Sequence, residues 1–175
     1  MFTTLLVLFS QVFFAQMDKE VLDLVNEART NPKQFLVERV EPYLKDNELE
    51  NVREAKSLVK TLQRINAAPP LVFRENLSLM AQDFAEEAGK KGWEDHVRTN
   101  QRFHKYAPEM NYSGENIQFL YNDALSIVID LMIDEGVPGY GHRKNILDPE
   151  FKFFGFGIAP HKNYDYISVM TFGAD

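Results

Sequence analysis

The side chains of this sequence that could do chemistry are two histidines and three acids. His96 follows Asp95, Glu115 stands in Ser113-Gly114-Glu115-Asn116-Ile117, Asp134-Glu135 closes an apolar run, and His142 lies between Gly141 and Arg143. Imidazole titrates near neutrality and is the commonest metal ligand. Two imidazoles with one or two carboxylates form an adequate ligand set for zinc, whose catalytic sites keep a position open for water. The metal candidates are therefore His96, His142, Glu115, Asp134 and Glu135. Glu115 and His142 are the catalytic candidates if the task is proton transfer. The glycines around His142 permit close backbone approach and unusual torsions, and His104 is a rival to His96. Each of these groups also has a plain structural role open to it: a satisfied histidine, a first-turn carboxylate, a solvated acid pair.

Several chemistries are excluded or unmarked. The chain has no cysteine, which removes thiol nucleophiles, cysteine-ligated zinc and iron–sulfur clusters. No H-E-x-x-H, G-x-S-x-G or P-loop pattern occurs, and Ser113 and Ser126 have no context marking them as nucleophiles. The net charge of -7, from 26 acidic against 19 basic residues, gives no basic footprint for nucleic acid or anionic lipid.

The elements that must position these groups follow from periodicity. Ser113 reads as the N-cap of a helix that begins at Glu115 and continues through the apolar run 124–133. There the carboxylate would gain about 0.3–1 kcal/mol from the helix dipole. Asp134-Glu135 then falls at the C-terminus, where negative charge is unfavourable, so a cation or histidine partner is expected beside it. Upstream, Asp18 reads as the cap of a helix carrying Val21, Leu22, Leu24, Val25 and Ala28 on one stripe, ended by Thr30-Asn31-Pro32. A second helical piece spans 33–43. The charged segment 45–66, with Val52, Leu58, Val59 and Leu62 at helical spacing, reads as an amphipathic surface helix. Residues 67–73 are expected to be extended because of Pro69-Pro70. A strong helix follows, capped by Asn76, with Leu77, Met80, Ala81, Phe84 and Ala85 inward, and it stops at Gly92. Residues 93–112 read as a long loop holding His96 and His104. Two strands, 153–159 and 166–172, flank a hairpin turn at His161-Lys162-Asn163. Gly155 and Gly157 in the first strand point to close approach of another backbone or to a bulge. The aromatic run Phe151, Phe153, Phe154 and Phe156 is expected in the core.

Residues 1–16 read as a signal peptide, with apolar Leu5-Leu6-Val7-Leu8-Phe9 and Val12-Phe13-Phe14-Ala15 before the first charge at Asp18. The run is too short and interrupted for a membrane span. What remains, residues 17–175, is expected to be a single domain. The absence of cysteine fits an exported bacterial protein better than a disulfide-stapled one.

One ordered set of motifs resembles a known family. It comprises Val25-Asn26-Glu27-Ala28-Arg29, Pro70-Leu71-Val72-Phe73, His96, Gly114-Glu115-Asn116-Ile117, Gly141-His142-Arg143 with Asn145-Ile146-Leu147, and Gly155-Phe156-Gly157-Ile158-Ala159. Together they are similar to the CAP superfamily of cysteine-rich secretory, antigen 5 and pathogenesis-related proteins, and especially to its cysteine-free bacterial SCP-like extracellular branch. The resemblance implies an α+β fold, an α-β-α sandwich with a small antiparallel sheet between helical layers and a central cleft holding two histidines and two acids. His142 and Glu115 match that pattern, His96 matches by its distance from Glu115, and either Asp134 or Glu135 could be the second acid. Relative to the compact family pattern, residues 34–68 read as a helical insertion that could cover or extend the cleft. The expectation is a secreted, periplasmic or cell-surface binding module whose cleft can hold a divalent cation, Zn2+, and which takes a small-molecule, lipid or protein ligand. A metal- or His/Glu-dependent hydrolase of protease type is the alternative, and a sterol- or fatty-acid-binding protein the third.

Overall fold

Pro32 stops the first helix as its missing N–H demands, and α1 runs Phe2–Thr30. The computed structural model describes the backbone of residues 2–175 and the side chains of residues 16–175. The expected leader, apart from Gln16, therefore has its side chains outside the described residues. Asp18 lies inside α1 rather than at its start. The chain continues through α2 (Pro32–Phe35), a π-helical stretch (Leu36–Val40) and α3 (Glu41–Asp46), then α4 (Arg53–Arg64). Next come β1 (Val72–Phe73), α5 (Glu75–Lys91), α6 (Thr99–Tyr106) and β2 (Tyr112–Phe119). The chain closes with α7 (Ala124–Ile133), α8 (Gly141–Leu147), β3 (Phe153–Pro160) and β4 (Tyr166–Ala174).

The sheet order is β1-β3-β4-β2, with β3, β4 and β2 antiparallel and the two-residue β1 parallel to β3. The sandwich is thus α+β as expected, although its sheet is mixed rather than wholly antiparallel. Strand alternation sends odd-numbered residues one way: Ile117, Ala159, Ile167 and Val169 pack on Ala81, Phe84, Ala85 and Ala88 of α5. Even-numbered Phe154, Phe156, Ile158, Met170 and Phe172 face the other layer, built from α1, α7, α8 and α4.

The α5 layer sits unusually close to the sheet. A Cβ at Gly155 would lie 2.3 Å from backbone atoms of Leu77 and Ser78, and one at Gly157 2.3 Å from the nitrogen of Gln82. The approach also closes the edge of β3 beyond β1. Ser78 Oγ donates to the Phe156 carbonyl (2.6 Å) and accepts from its N–H (3.3 Å). Gln82, one turn on, accepts from the Ile158 N–H (3.0 Å) and donates to its carbonyl (3.2 Å). Two helix side chains thus stand where a neighbouring strand would be.

The early motif has a comparable fastening role. Asn26 bonds both the N–H and the carbonyl of Leu71 (2.7 and 3.0 Å), and buried Arg29 donates to the carbonyls of Pro69, Ile146, Asp148 and Phe151. Four of its five guanidinium N–H groups thus meet backbone carbonyls, which offsets the cost of burying the charge.

Three further expectations are corrected. Glu115 is on strand β2, not at a helix start; α7 begins only at Ala124, capped by Asp123, whose carboxylate accepts from the Ser126 N–H (2.9 Å). The segment 93–112 contains α6 rather than being all loop. Arg74, not Asn76, precedes α5, and the Asn76 amide instead donates to the Tyr106 carbonyl and to Glu109, tying α5 to the end of α6. Gly92 does stop α5, with φ of 72° in the left-handed region.

Candidate functional site

β2 is an edge strand, and its alternation delivers two consecutive polar residues to opposite layers. Glu115 turns toward α6, and Asn116 toward α8.

On the α6 side, Arg102 donates through both terminal nitrogens to the two oxygens of Glu115, one at 2.9 Å and the other closer. Thr99 Oγ1 donates to Oε1 (3.2 Å), and His96 Nδ1 is 2.8 Å from the same oxygen. The Glu115 side chain is only 1% exposed. Burial alone would raise its pKa, but the hydrogen bonds from His96 and Arg102 and the guanidinium charge outweigh burial and hold the carboxyl below its usual range. An ionised carboxylate only accepts, so the His96 Nδ1 carries the proton. In the neutral ring that leaves Nε2 with a free lone pair.

On the other side Asp134 plays the same part for His142. It is the residue just after α7, at φ of 61°, and its side chain is fully buried. Its Oδ1 lies 2.8 Å from His142 Nδ1, and Oδ2 accepts from the backbone N–H of His142 (3.0 Å) and Arg143 (3.3 Å). The acid that seemed misplaced at a helix C-terminus is therefore aimed at the opening N–H groups of α8. The His142 carbonyl accepts from Asn116 Nδ2 (3.0 Å), and Asn116 Oδ1 accepts from Asn145 Nδ2 (2.8 Å). Strand β2 thus holds the His96 imidazole through Glu115 and the backbone of His142 through Asn116.

The two rings meet with centroids 6.5 Å apart and planes inclined 44°. His96 is the more open, 43% exposed against 20% for His142. The structure thus brings together His96, Glu115, Asp134 and His142. Glu135 is exposed on the following turn and His104 is exposed on α6; neither joins them. The remaining histidine, His161, is occupied at both nitrogens, by the Trp93 carbonyl (3.0 Å) and the Asn163 N–H (3.2 Å). Arg102 and Thr99 are the members that sequence reasoning missed. Their three-residue spacing, which puts both on one helical face, is the signal that the segment offered.

Among the described residues no group of three or more histidines, aspartates or glutamates is placed to hold a metal ion. The carboxylates are spent on the Nδ1 hydrogens, an arrangement that typically orients metal-bound histidines. A cation here would have two protein ligands, the Nε2 atoms. Two nitrogen ligands leave a tetrahedral cation's other positions to water or to a ligand. Without a cation, each imidazole is a base oriented by a buried carboxylate.

Comparison with known proteins bears on the fold. The family described as the cysteine-rich secretory protein family, CAP, matches residues 22–172. No curated protein matches. Among solved structures, an extracellular SCP-domain protein of Bacillus anthracis is similar at TM-score 0.53 and 18% identity, over 69% of this chain and 38% of that one. An outer surface protein of Borrelia burgdorferi gives 0.52 and 19%, over 74% and 92%. A cysteine-rich secretory protein of Staphylococcus aureus gives 0.51 and 16%, over 71% and 40%. The chain thus spans well under half the length of two of these three.

Proposed function

Because the chain belongs to the CAP family, we propose that it is an exported binding module in which His96 and His142 together hold a divalent cation, zinc, to which a ligand docks. The observation that carries this reading is the pairing of each imidazole Nδ1 with a buried carboxylate, at 2.8 Å in both cases. Such pairing fixes the tautomer and turns Nε2 outward as donor. Bound zinc supplies a Lewis-acidic centre for a ligand oxygen. The chain's own residues do the rest. Arg102 and His96 keep Glu115 ionised, with the Thr99 hydroxyl beside its Oε1; Asp134 holds His142 by ring and backbone at once. The localisation follows the extracellular and surface character stated for two of the similar structures and the leader-like composition of residues 1–16.

A hydrolase is the second reading, supported by the same pairs: a histidine oriented by a carboxylate is the usual general base. Isothermal titration of zinc into metal-stripped protein tests the first. Micromolar or tighter binding is expected, reduced at least tenfold by His96→Ala and abolished in the His96→Ala/His142→Ala double variant. No binding, or binding that survives both substitutions, overturns it.

A further inference from the structure

A total charge of -7 conceals a local concentration of the opposite sign. Along α4, Arg53, Lys56, Lys60 and Arg64 recur at intervals of three, four and four residues, on one helical face. They line an open hollow of about 800 Å³ along α4, which shares Ser57, Thr61 and Ile65 with a neighbouring pocket of about 420 Å³ that Arg143, Lys144 and Leu147 wall from α8. Lys56, Lys60, Arg64 and Lys144 make no ion pair among the described residues. Arg53 is bridged to Glu54.

The pocket is also built from below. Arg143 is 3% exposed and has no carboxylate partner among the described residues. Its Nε donates to the Met132 carbonyl (2.5 Å) and Nη2 to those of Ile133 (2.9 Å) and Glu54 (3.1 Å). Nη1 donates to Ser57 Oγ (3.0 Å) and Thr61 Oγ1 (3.4 Å). Among the described residues no carboxylate bonds this guanidinium side chain, although the charges of Asp134 and Glu54 act on it from nearby, so part of its positive field remains at the pocket floor. The Thr61 hydroxyl is spent on the Ser57 carbonyl, whereas Ser57 accepts from Arg143 and keeps its own hydrogen to give. Ile65, Leu147 and Tyr140 supply apolar wall beside these donors. The one acid lining the pocket, Asp148, is already engaged by the Tyr112 hydroxyl and the Glu150 N–H.

We propose that the groove between α4 and α8 is a binding site for a phosphate-bearing ligand with an apolar portion, the oxyanion taken by Lys60, Arg64, Lys144 and the Ser57 hydroxyl. Lysine and arginine with a hydroxyl donor match phosphate oxygens, and the apolar wall accounts for a ligand larger than the ion itself. This assigns a role to α4 that the paired imidazoles do not need.

The test is titration calorimetry with phenyl phosphate, with phenol as the neutral control, and co-sedimentation with phosphatidylglycerol vesicles as a second arm. Saturable binding of phenyl phosphate but not phenol is expected. Lys60→Glu/Arg64→Glu, which alters only exposed side chains, should weaken it at least tenfold at an unchanged melting temperature. Ser57→Ala should weaken it several-fold. The charge-matched pair Lys90→Glu/Lys162→Glu, outside the groove, should stay within twofold. Binding to vesicles alone, with the same dependence on Lys60 and Arg64, supports the site and identifies a lipid headgroup as the source of the phosphate. No saturable binding in either arm, or an equal loss in the charge-matched pair, overturns the proposal.

Discussion

At the scale of single residues the site depends on Glu115 being ionised and almost wholly enclosed. Its carboxyl is held below the usual range, so the sign of its pH linkage is fixed. The stabilisation is complete above about pH 4.5, the unfolded value, and is lost as pH falls through the lowered folded pKa. Glu115→Gln strands Arg102 in a buried position, and about 3 kcal/mol of stability should disappear at neutral pH. The variant should also lose part of the parent's acid sensitivity. Urea unfolding at pH 7 and pH 4 reads both effects; a parent and variant that lose stability in parallel between those pH values would rule the linkage out. The residue scale was also where sequence was most legible. His96, His142, Glu115 and the Asp134-Glu135 pair could be named as candidates from residue type and neighbourhood, and the family resemblance grouped them. Choosing between Asp134 and Glu135, or between His96 and His104, needed the fold, because neighbours in sequence differ only in which way the backbone turns them. Here Asp134 turns inward at positive φ and Glu135 outward.

At the scale of elements, β3 and β4 were legible as apolar, aromatic runs flanking a turn, and α7 as an apolar run, although its start was expected at Glu115 and lies at Ala124. β2 was not. Its Ser113-Gly114-Glu115-Asn116-Ile117-Gln118 has polar residues on both faces, one set serving the α6 layer and the other α8. A strand that feeds polar groups to two layers loses the alternation by which strands are recognised. The glycines of β3, by contrast, gave a correct signal of close backbone approach. Gly155→Ala tests it at this scale: its Cβ has to displace the α5 backbone from 2.3 Å, and a backbone cannot rotate aside as a side chain can. A loss of more than about 3 kcal/mol is expected. A thermal melt shifted by only a degree or two would show that α5 can ride higher on the sheet than its side-chain bonds to β3 suggest.

At the scale of the whole molecule, the stability profile with pH is set by acids that pull against each other. Asp18 on α1 is raised from 3.8 to about 6, chiefly by burial; the Ser78 hydroxyl, whose one hydrogen is shared between Asp18 and the Phe156 carbonyl, acts the other way. A raised carboxyl costs stability once ionised: the cost grows as pH climbs from about 4 through 6 and is complete above. Asp18→Asn should therefore gain about 1 kcal/mol at pH 8, after allowing for solvent screening, and nothing at pH 4. Melting temperatures at the two pH values measure it, and an equal gain at both would exclude the linkage. The same α5 serine that meets Asp18 also helps finish the sheet. A β-sheet with a bare edge can be lengthened by a stranger's strand, and that is how globular chains become fibrils. Here Ser78 and Gln82 occupy the hydrogen-bonding groups of β3 from within the chain, so on that side another copy's strand would meet a helix where it needed a ladder.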